Sequence, residues 1–351
     1  MSATELENAV SGNAKLGKVI ILGAKGRFGR ATESAFVAAG WRVRAFARDW
    51  QGVSQHADIE HVTGDAFDAD CLARAAAGCD LIIHALNPPY PRWQRNLPRL
   101  TANVIHAAKI SGATVMIPGN VYNYGADMPP SMSESTAHRP TSRKGGLRHE
   151  MEQAFERAAR GTEGANAVRS IILCAGDFIE RQKSGNWFDS YISANIAKGR
   201  VMYPGPLDRM HAWAYLPDMA RAMVGLAEKR GEFAAFEQFG FAGYALTGQA
   251  LIDAMARTAG HELKVKGLSW ALVRLLGLAM PQMREITEMS YLWRVPHAID
   301  GTKLAAVLPE FQPTPLVDAL ADALGGAHRS ESTEKIIPLG KSAAPALDSG
   351  Q

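Results

Sequence analysis

The stretch KVIILGAKGRFGRATESAFVAAG (18–40) constrains this chain more than any other. A short apolar, β-rich run ends at Gly23, glycines follow at 26 and 29, and helical spacing then continues to Gly40. Between a strand and a helix each glycine has a physical use. Gly23 permits the tight turn, Gly26 lets a pyrophosphate approach the backbone, and Gly29 lets helix and strand pack closely. The helix start then offers free N–H groups and a positive dipole end. The spacing is G-x-x-G-x-x-G rather than G-x-G-x-x-G. Its place at the head of a strand–helix series makes it a dinucleotide-binding loop rather than a plain turn.

The series is regular. Strand patterns at 41–48, 59–65, 80–86, 113–119 and 168–176 alternate with helical ones at 68–78, 97–112 and after 140. That rhythm predicts an α/β fold, a doubly wound parallel sheet of the Rossmann kind with about seven strands. Past about 180 the rhythm loosens. Helices are expected at 187–198, 217–229, 247–259, 269–279 and 282–293, with short strands near 201–203, 236–241 and 263–267. The expected division is a dinucleotide-binding core at 17–180, a smaller, mainly helical C-terminal lobe at 181–325 partly interleaved with it, and a disordered tail at 326–351.

With 351 residues, 47% of them hydrophobic, the chain can build a large core. A net charge of +3 and the absence of interleaved basic and aromatic residues argue against a nucleic-acid partner. Cys71, Cys79 and Cys174 form neither a disulfide framework nor a metal spacing, and no His, Cys or carboxylate cluster has ligand spacing. The first residues carry no signal-peptide run. The longest apolar stretch, 268–280, is too short to span a bilayer. A cytoplasmic protein with a small-molecule substrate, no membrane partner, no metal and a homodimeric assembly is the expectation.

The second strand ends Ala45-Phe46-Ala47-Arg48-Asp49. Arg48 suits a 2′-phosphate, with Lys25 and Arg27 adding charge from the glycine loop, whereas Asp49 suits a ribose hydroxyl. NADP(H) is therefore favoured over NAD(H). The alternative is a solvated strand end.

These motifs, with Gly64-Asp65, NVYNYG (120–125) and HAWAYLPDMARAMV (211–224), resemble the extended or atypical branch of the short-chain dehydrogenase/reductase superfamily from about 18 to 325. The resemblance implies that Gly23, Lys25, Gly26, Arg27, Phe28, Gly29 and Arg48 border the cofactor. It also implies that Asp65 contacts the adenine, that Ala85 lines the cleft, and that Asp218 matches an aspartate of relatives; a turn residue is the other reading of Asp65. Active relatives carry a serine four residues before the Tyr-Gly that matches Tyr124-Gly125, and a Tyr-x-x-x-Lys pair on the next helix. Here those places hold Asn120, Lys144 and Arg148, with Glu152 matching a glutamate that follows.

All three catalytic positions are thus changed. Arg148 can hold ribose or phosphate oxygens but does not deprotonate. Lys144 can act as acid or base only if its surroundings lower its pKa. Asn120 hydrogen-bonds but relays no proton. Lys144, not a tyrosine, is expected to be the titratable group nearest the nicotinamide; Tyr122 could supply the missing phenol but reads first as structural. Tyr90, Asp177 and His84 read as structural, and His211 is placed at the substrate cleft by resemblance alone. Two functions follow: an NADP(H)-dependent oxidoreductase or epimerase/dehydratase-like enzyme with a rebuilt site, or an NADP(H)-sensing regulator of the NmrA type.

Overall fold

The computed structural model describes residues 17–52, 57–161 and 167–328. In chain order the first half runs β1 (Lys18–Leu22), α1 (Arg27–Ala38), β2 (Arg42–Ala47), β3 (Ile59–Thr63), α2 (Ala69–Ala76), β4 (Leu81–His84), α3 (Trp93–Ser111), β5 (Thr114–Asn120), β6 (Ser131–Met132), α4 (Arg143–Arg160), β7 (Ser170–Ala175) and β8 (Asp177–Ile179). The second half runs β9 (Arg200–Tyr203), β10 (Met210–Tyr215), α5 (Leu216–Glu228), β11 (Phe236–Gly240), β12 (Tyr244–Thr247), α6 (Gly248–Ala259), β13 (Lys264–Gly267), α7 (Trp270–Gly277), α8 (Pro281–Glu288), β14 (Ala298–Ile299), α9 (Thr302–Val307) and α10 (Leu316–His328).

The main sheet is parallel, in the order β11-β7-β5-β4-β1-β2-β3. Residues 19–22 of β1 are wholly buried because helices cover both faces. Val19 and Ile21 join the core that takes Phe28 and Phe36 from α1 and Met219 and Met223 from α5. Ile20 and Leu22 point the other way, to Leu72 of α2, Val104 of α3 and Phe155 of α4. The period of two along β1 thus serves two apolar layers. Strand order reverses between β1 and β4, and the crevice at that switch point is where a doubly wound sheet binds its ligand.

The seventh strand, β11, comes from beyond residue 180, so the lobe is threaded into the core. The lobe has its own aromatic centre, with Phe188, Tyr203, Trp213 and Trp293. Three short sheets support it: β12-β10-β8, β13-β9 and β14-β6. Strands β8 and β12, three and four residues long, are too short to carry a periodicity of their own. The expected tail lies outside the described residues, apart from 326–328 at the end of α10, as do the first sixteen residues.

Candidate active site at the carboxyl edge of the sheet

The glycine loop fits a dinucleotide. Gly23 has a φ of +83°, which side chains resist, and a Cβ there would lie 2.8 Å from the Ala85 carbonyl across the switch point. A Cβ on Gly29 would fall 2.3 Å from the Gly23 carbonyl, so only glycine lets α1 sit this close. Gly26 starts α1 with no side-chain cap, leaving the first-turn amides of a twelve-residue helix for a phosphate. Ala85 is fixed by its N–H donating to the Leu22 carbonyl at 3.0 Å.

The basic residues around the loop diverge. Arg48 is exposed at the end of β2. Lys25 pairs with Asp49 at 2.6 Å, and this hydrogen bond is the leading cause that lowers the Asp49 pKa. Arg27 turns to the segment after β8, donating to the Ser184 carbonyl at 2.9 Å and lying 3.8 Å from Glu180. Arg30 donates to Gln182 at 2.7 Å, and Phe28 stacks on Phe178 at 6.5 Å. The 180–186 segment is itself organised: the Asp189 carboxylate accepts from the amides of Ser184, Gly185 and Asn186 at 2.7, 3.0 and 3.3 Å. No local periodicity marks this lid over the glycine loop. Asp65 is an exposed turn residue whose carboxylate accepts from Phe67 N–H at 3.0 Å.

Lys144 and Arg148 do share one face of α4, and that face is covered. Ser142 caps the helix by accepting from Gly145 N–H. The Lys144 ammonium, 1% exposed, is bonded to both Glu285 and Glu288 of α8, the latter at 2.5 Å. It stands 5.1 Å from the centre of the Tyr90 ring. Arg148 stands 5.3 Å over Trp93. The pair of cations four apart thus meets a pair of aromatics three apart, from the NPPYPRW loop after β4. Burial works to raise the Glu285 pKa, but hydrogen bonds from Lys144 and Arg143 outweigh it and the net shift is down. Burial lowers the Arg148 pKa, Glu152 partly offsetting it, and its Nε finds no partner. An orphaned guanidinium donor at this end of the cleft suits an incoming ribose hydroxyl or phosphate oxygen.

Asn120 spends its side chain locally, accepting from Tyr122 N–H at 3.0 Å to start a short helical turn over Val121–Tyr124. That turn delivers the Tyr122 hydroxyl to within 3.1 Å of the Tyr90 hydroxyl. Burial, then the neighbouring Tyr90 and Asp177, push the Tyr122 phenol well above its ordinary value. Asp177, at the carboxyl edge beyond β7, bonds His211 at 2.9 Å, and the imidazole lies flat on Trp293 at 4.3 Å. His297 meets the His211 ring edge-on, and burial, then His211, lower its pKa to about 3. Deeper along α4, burial raises Glu152 to about 7, opposed by Asn123 and Arg148; it borders a groove of about 300 Å³ with His138 and His149. His84 is fully buried, and burial, then Arg148, drive it to about 3. Among the described residues no group of His, Cys, Asp or Glu can hold a metal ion, and the three cysteines are free.

The fold and glycine loop are those of a doubly wound dinucleotide-binding sheet, and residues 23–160 match the NAD(P)H-binding family model. Similar solved structures include nucleotide-sugar epimerases, at identities that show a shared fold. MoeE5 in complex with UDP-glucose and NAD superposes with a TM-score of 0.70 at 20% identity, over 90% of this chain and 100% of that one. UDP-glucuronic acid 4-epimerase from Bacillus cereus, holding NAD, gives 0.69 at 14% identity over 89% and 99%. A nucleoside-diphosphate-sugar epimerase from Staphylococcus aureus gives 0.66 at 14% identity over 87% and 100%. None of the curated proteins compared with this chain matches it.

Proposed function

We propose that this chain is an NADP(H)-dependent oxidoreductase or epimerase/dehydratase-like enzyme for a hydroxylated small molecule, with the Tyr122 phenol as its proton donor. The carrying observation is the Tyr122–Tyr90 hydroxyl pair at 3.1 Å, raised on the turn after β5. Bound there, a nicotinamide would supply or accept hydride. Arg148 would hold the ribose through its unpartnered Nε. Tyr122, kept protonated by burial, would donate to the substrate oxygen and take back a proton relayed from solvent through the hydroxyl of the partly exposed Tyr90. Asn120, engaged by Tyr122 N–H, would keep the turn in register. The Asp177–His211 pair would hold the substrate's far side.

Arg48 would take the 2′-phosphate, because Lys25 occupies the Asp49 carboxylate that a free 2′-hydroxyl would otherwise use. NAD in the structural neighbours is the competing choice, and paired titrations of NADPH and NADH separate the two. Nucleotide sugars are the first substrates to test, on the strength of the neighbours' ligands. Product analysis with NADP+ or NADPH should show conversion that Tyr122→Phe abolishes. Conversion untouched by Tyr122→Phe would remove the phenol from the chemistry.

A second reading, an NADP(H)-sensing regulator of the NmrA type, has its own support. Glu285 and Glu288 close on Lys144, in the place where the resemblance puts a catalytic phenol. Cofactor binding without conversion of any nucleotide sugar would favour it.

A further inference from the structure

The segment KVKGLSWALVRLLGLAMPQMR (264–284) carries four cations and no carboxylate. It forms β13, α7 and the start of α8, and it is turned outward. Helix α7 buries only Val273 and Gly277. Leu272, Leu275 and Leu276 are 54%, 63% and 41% exposed, at the i, i+3, i+4 spacing of one helix face. Leu278 at 85%, Met280 at 47% and Val265 at 41% extend the patch. Six of the eight large apolar side chains exposed among the described residues therefore lie in this one segment. Isolated exposed leucines need no explanation, but a contiguous patch does.

The charges have a matching distribution. Lys264, Lys266, Arg274 and Arg284 are exposed, and Arg200 faces Lys264 across the β9–β13 register, with Lys198 beside it. None of these six is in an ion pair among the described residues. Glu285 and Glu288, the next acids along the chain, turn inward to Lys144 and Arg143. Trp270 locks the start of α7 to the lobe by donating from Nε1 to the Pro204 carbonyl at 2.6 Å.

We propose that this face docks the protein on the surface of an anionic bilayer, with the leucines of α7 in the headgroup boundary and the surrounding cations on the lipid phosphates. An apolar helix ringed by Lys and Arg is the pattern of an interfacial helix. No described helix is long and apolar enough to cross a membrane, and lying flat does not require it. The sequence alone gives the expectation of no membrane partner, but the shortness of 268–280 bears on a span and not on surface contact. A second copy of the chain is a poorer occupant, since a symmetric contact would set this unpaired positive rim against itself.

Flotation of the full chain with vesicles tests the assignment. The chain should float with phosphatidylcholine–phosphatidylglycerol vesicles and stay behind with phosphatidylcholine alone. Raised salt should weaken the binding. Lys266→Gln should weaken it roughly fivefold, the worth of one basic residue at such a surface. Leu275→Asp with Leu278→Asp should abolish flotation while leaving the melting temperature unchanged, because both side chains are solvent-exposed. Failure to float would overturn the proposal, as would equal flotation with neutral vesicles or flotation indifferent to Leu275 and Leu278. Lipid-free self-association that the double variant dissolves, with no flotation, would reassign the face to a second copy.

Discussion

Lys144 shows how much a single side chain carries here. Its ammonium is buried between two carboxylates, and Glu285 has only 3% of its side chain exposed. Removing one member of a buried pair leaves the other charge without compensation, which costs about 3–5 kcal/mol. Lys144→Met should therefore lower the urea-unfolding free energy by about that amount; a loss within error would mean that the clamp is not formed in solution. Tyr122→Phe should cost little stability, remove turnover and leave cofactor affinity intact, which separates a chemical role from a structural one. The phenol is held well above its ordinary pKa, so as a donor it should give a rate that is flat from neutral into mildly alkaline pH. The spacing of Lys144 and Arg148 was enough to put them on one face. Their partners were not legible: Glu285 is 141 residues from Lys144, and no local pattern links the two. Tyr90 and Trp93 stood in plain view in NPPYPRW, but only the tertiary packing shows that they meet the cations.

At the scale of elements, α1 and its loop are the part that the sequence described best. Gly23 and Gly29 each do something steric that the spacing anticipates, because backbone proximity leaves no room for a Cβ, whereas a Cβ on Gly26 would lie 3.1 Å from the Gly23 carbonyl, tight but not excluded. Gly29→Ala should be severe, since its new methyl would sit 2.3 Å from the Gly23 carbonyl. A folded, NADPH-binding Gly29→Ala protein would contradict the packing. Arg27 was expected to border the cofactor, and it holds the 180–186 segment over the glycine loop. Arg27→Gln should speed amide exchange through 180–186 and weaken NADPH less than Arg48→Ala does. The reverse ranking would return Arg27 to the phosphate. The lid was invisible in the sequence because it is a loop held by Asp189, Glu180 and Asn186 rather than by any period.

For the whole molecule, seven parallel strands and two buried layers follow from runs such as VIIL and LIIH, which have no solvent face. The lobe was legible in its helices and less so in its two- to four-residue strands, whose pairing is set by neighbours far along the chain. The same core fixes an acid response. His84, His138 and His297 are held near 3, 4 and 3 by burial, below an unfolded value of 6.5. Unfolded imidazoles bind protons first, so stability present above pH 6.5 should fall as pH drops towards 4. Glu152, raised from 4.5 to about 7, works the other way and loses stability as pH rises across that range. Burial raises the Glu180 carboxyl too, so three histidines stand against two carboxylates; the melting temperature should fall on acidification below pH 6.5, and Glu152→Gln should make that fall steeper. A melting temperature that climbs on acidification would mean that the histidines are not buried neutral. The central claim is that a dinucleotide sits on Gly23, Gly26 and Gly29 with its adenosine end at Arg48, and nicotinamide fluorescence titration tests it most directly. NADPH should bind more tightly than NADH, and Arg48→Ala should cost NADPH about 1.5–3 kcal/mol while leaving NADH nearly unchanged. Equal affinities that Arg48→Ala does not disturb, or no binding of either nucleotide, would contradict it.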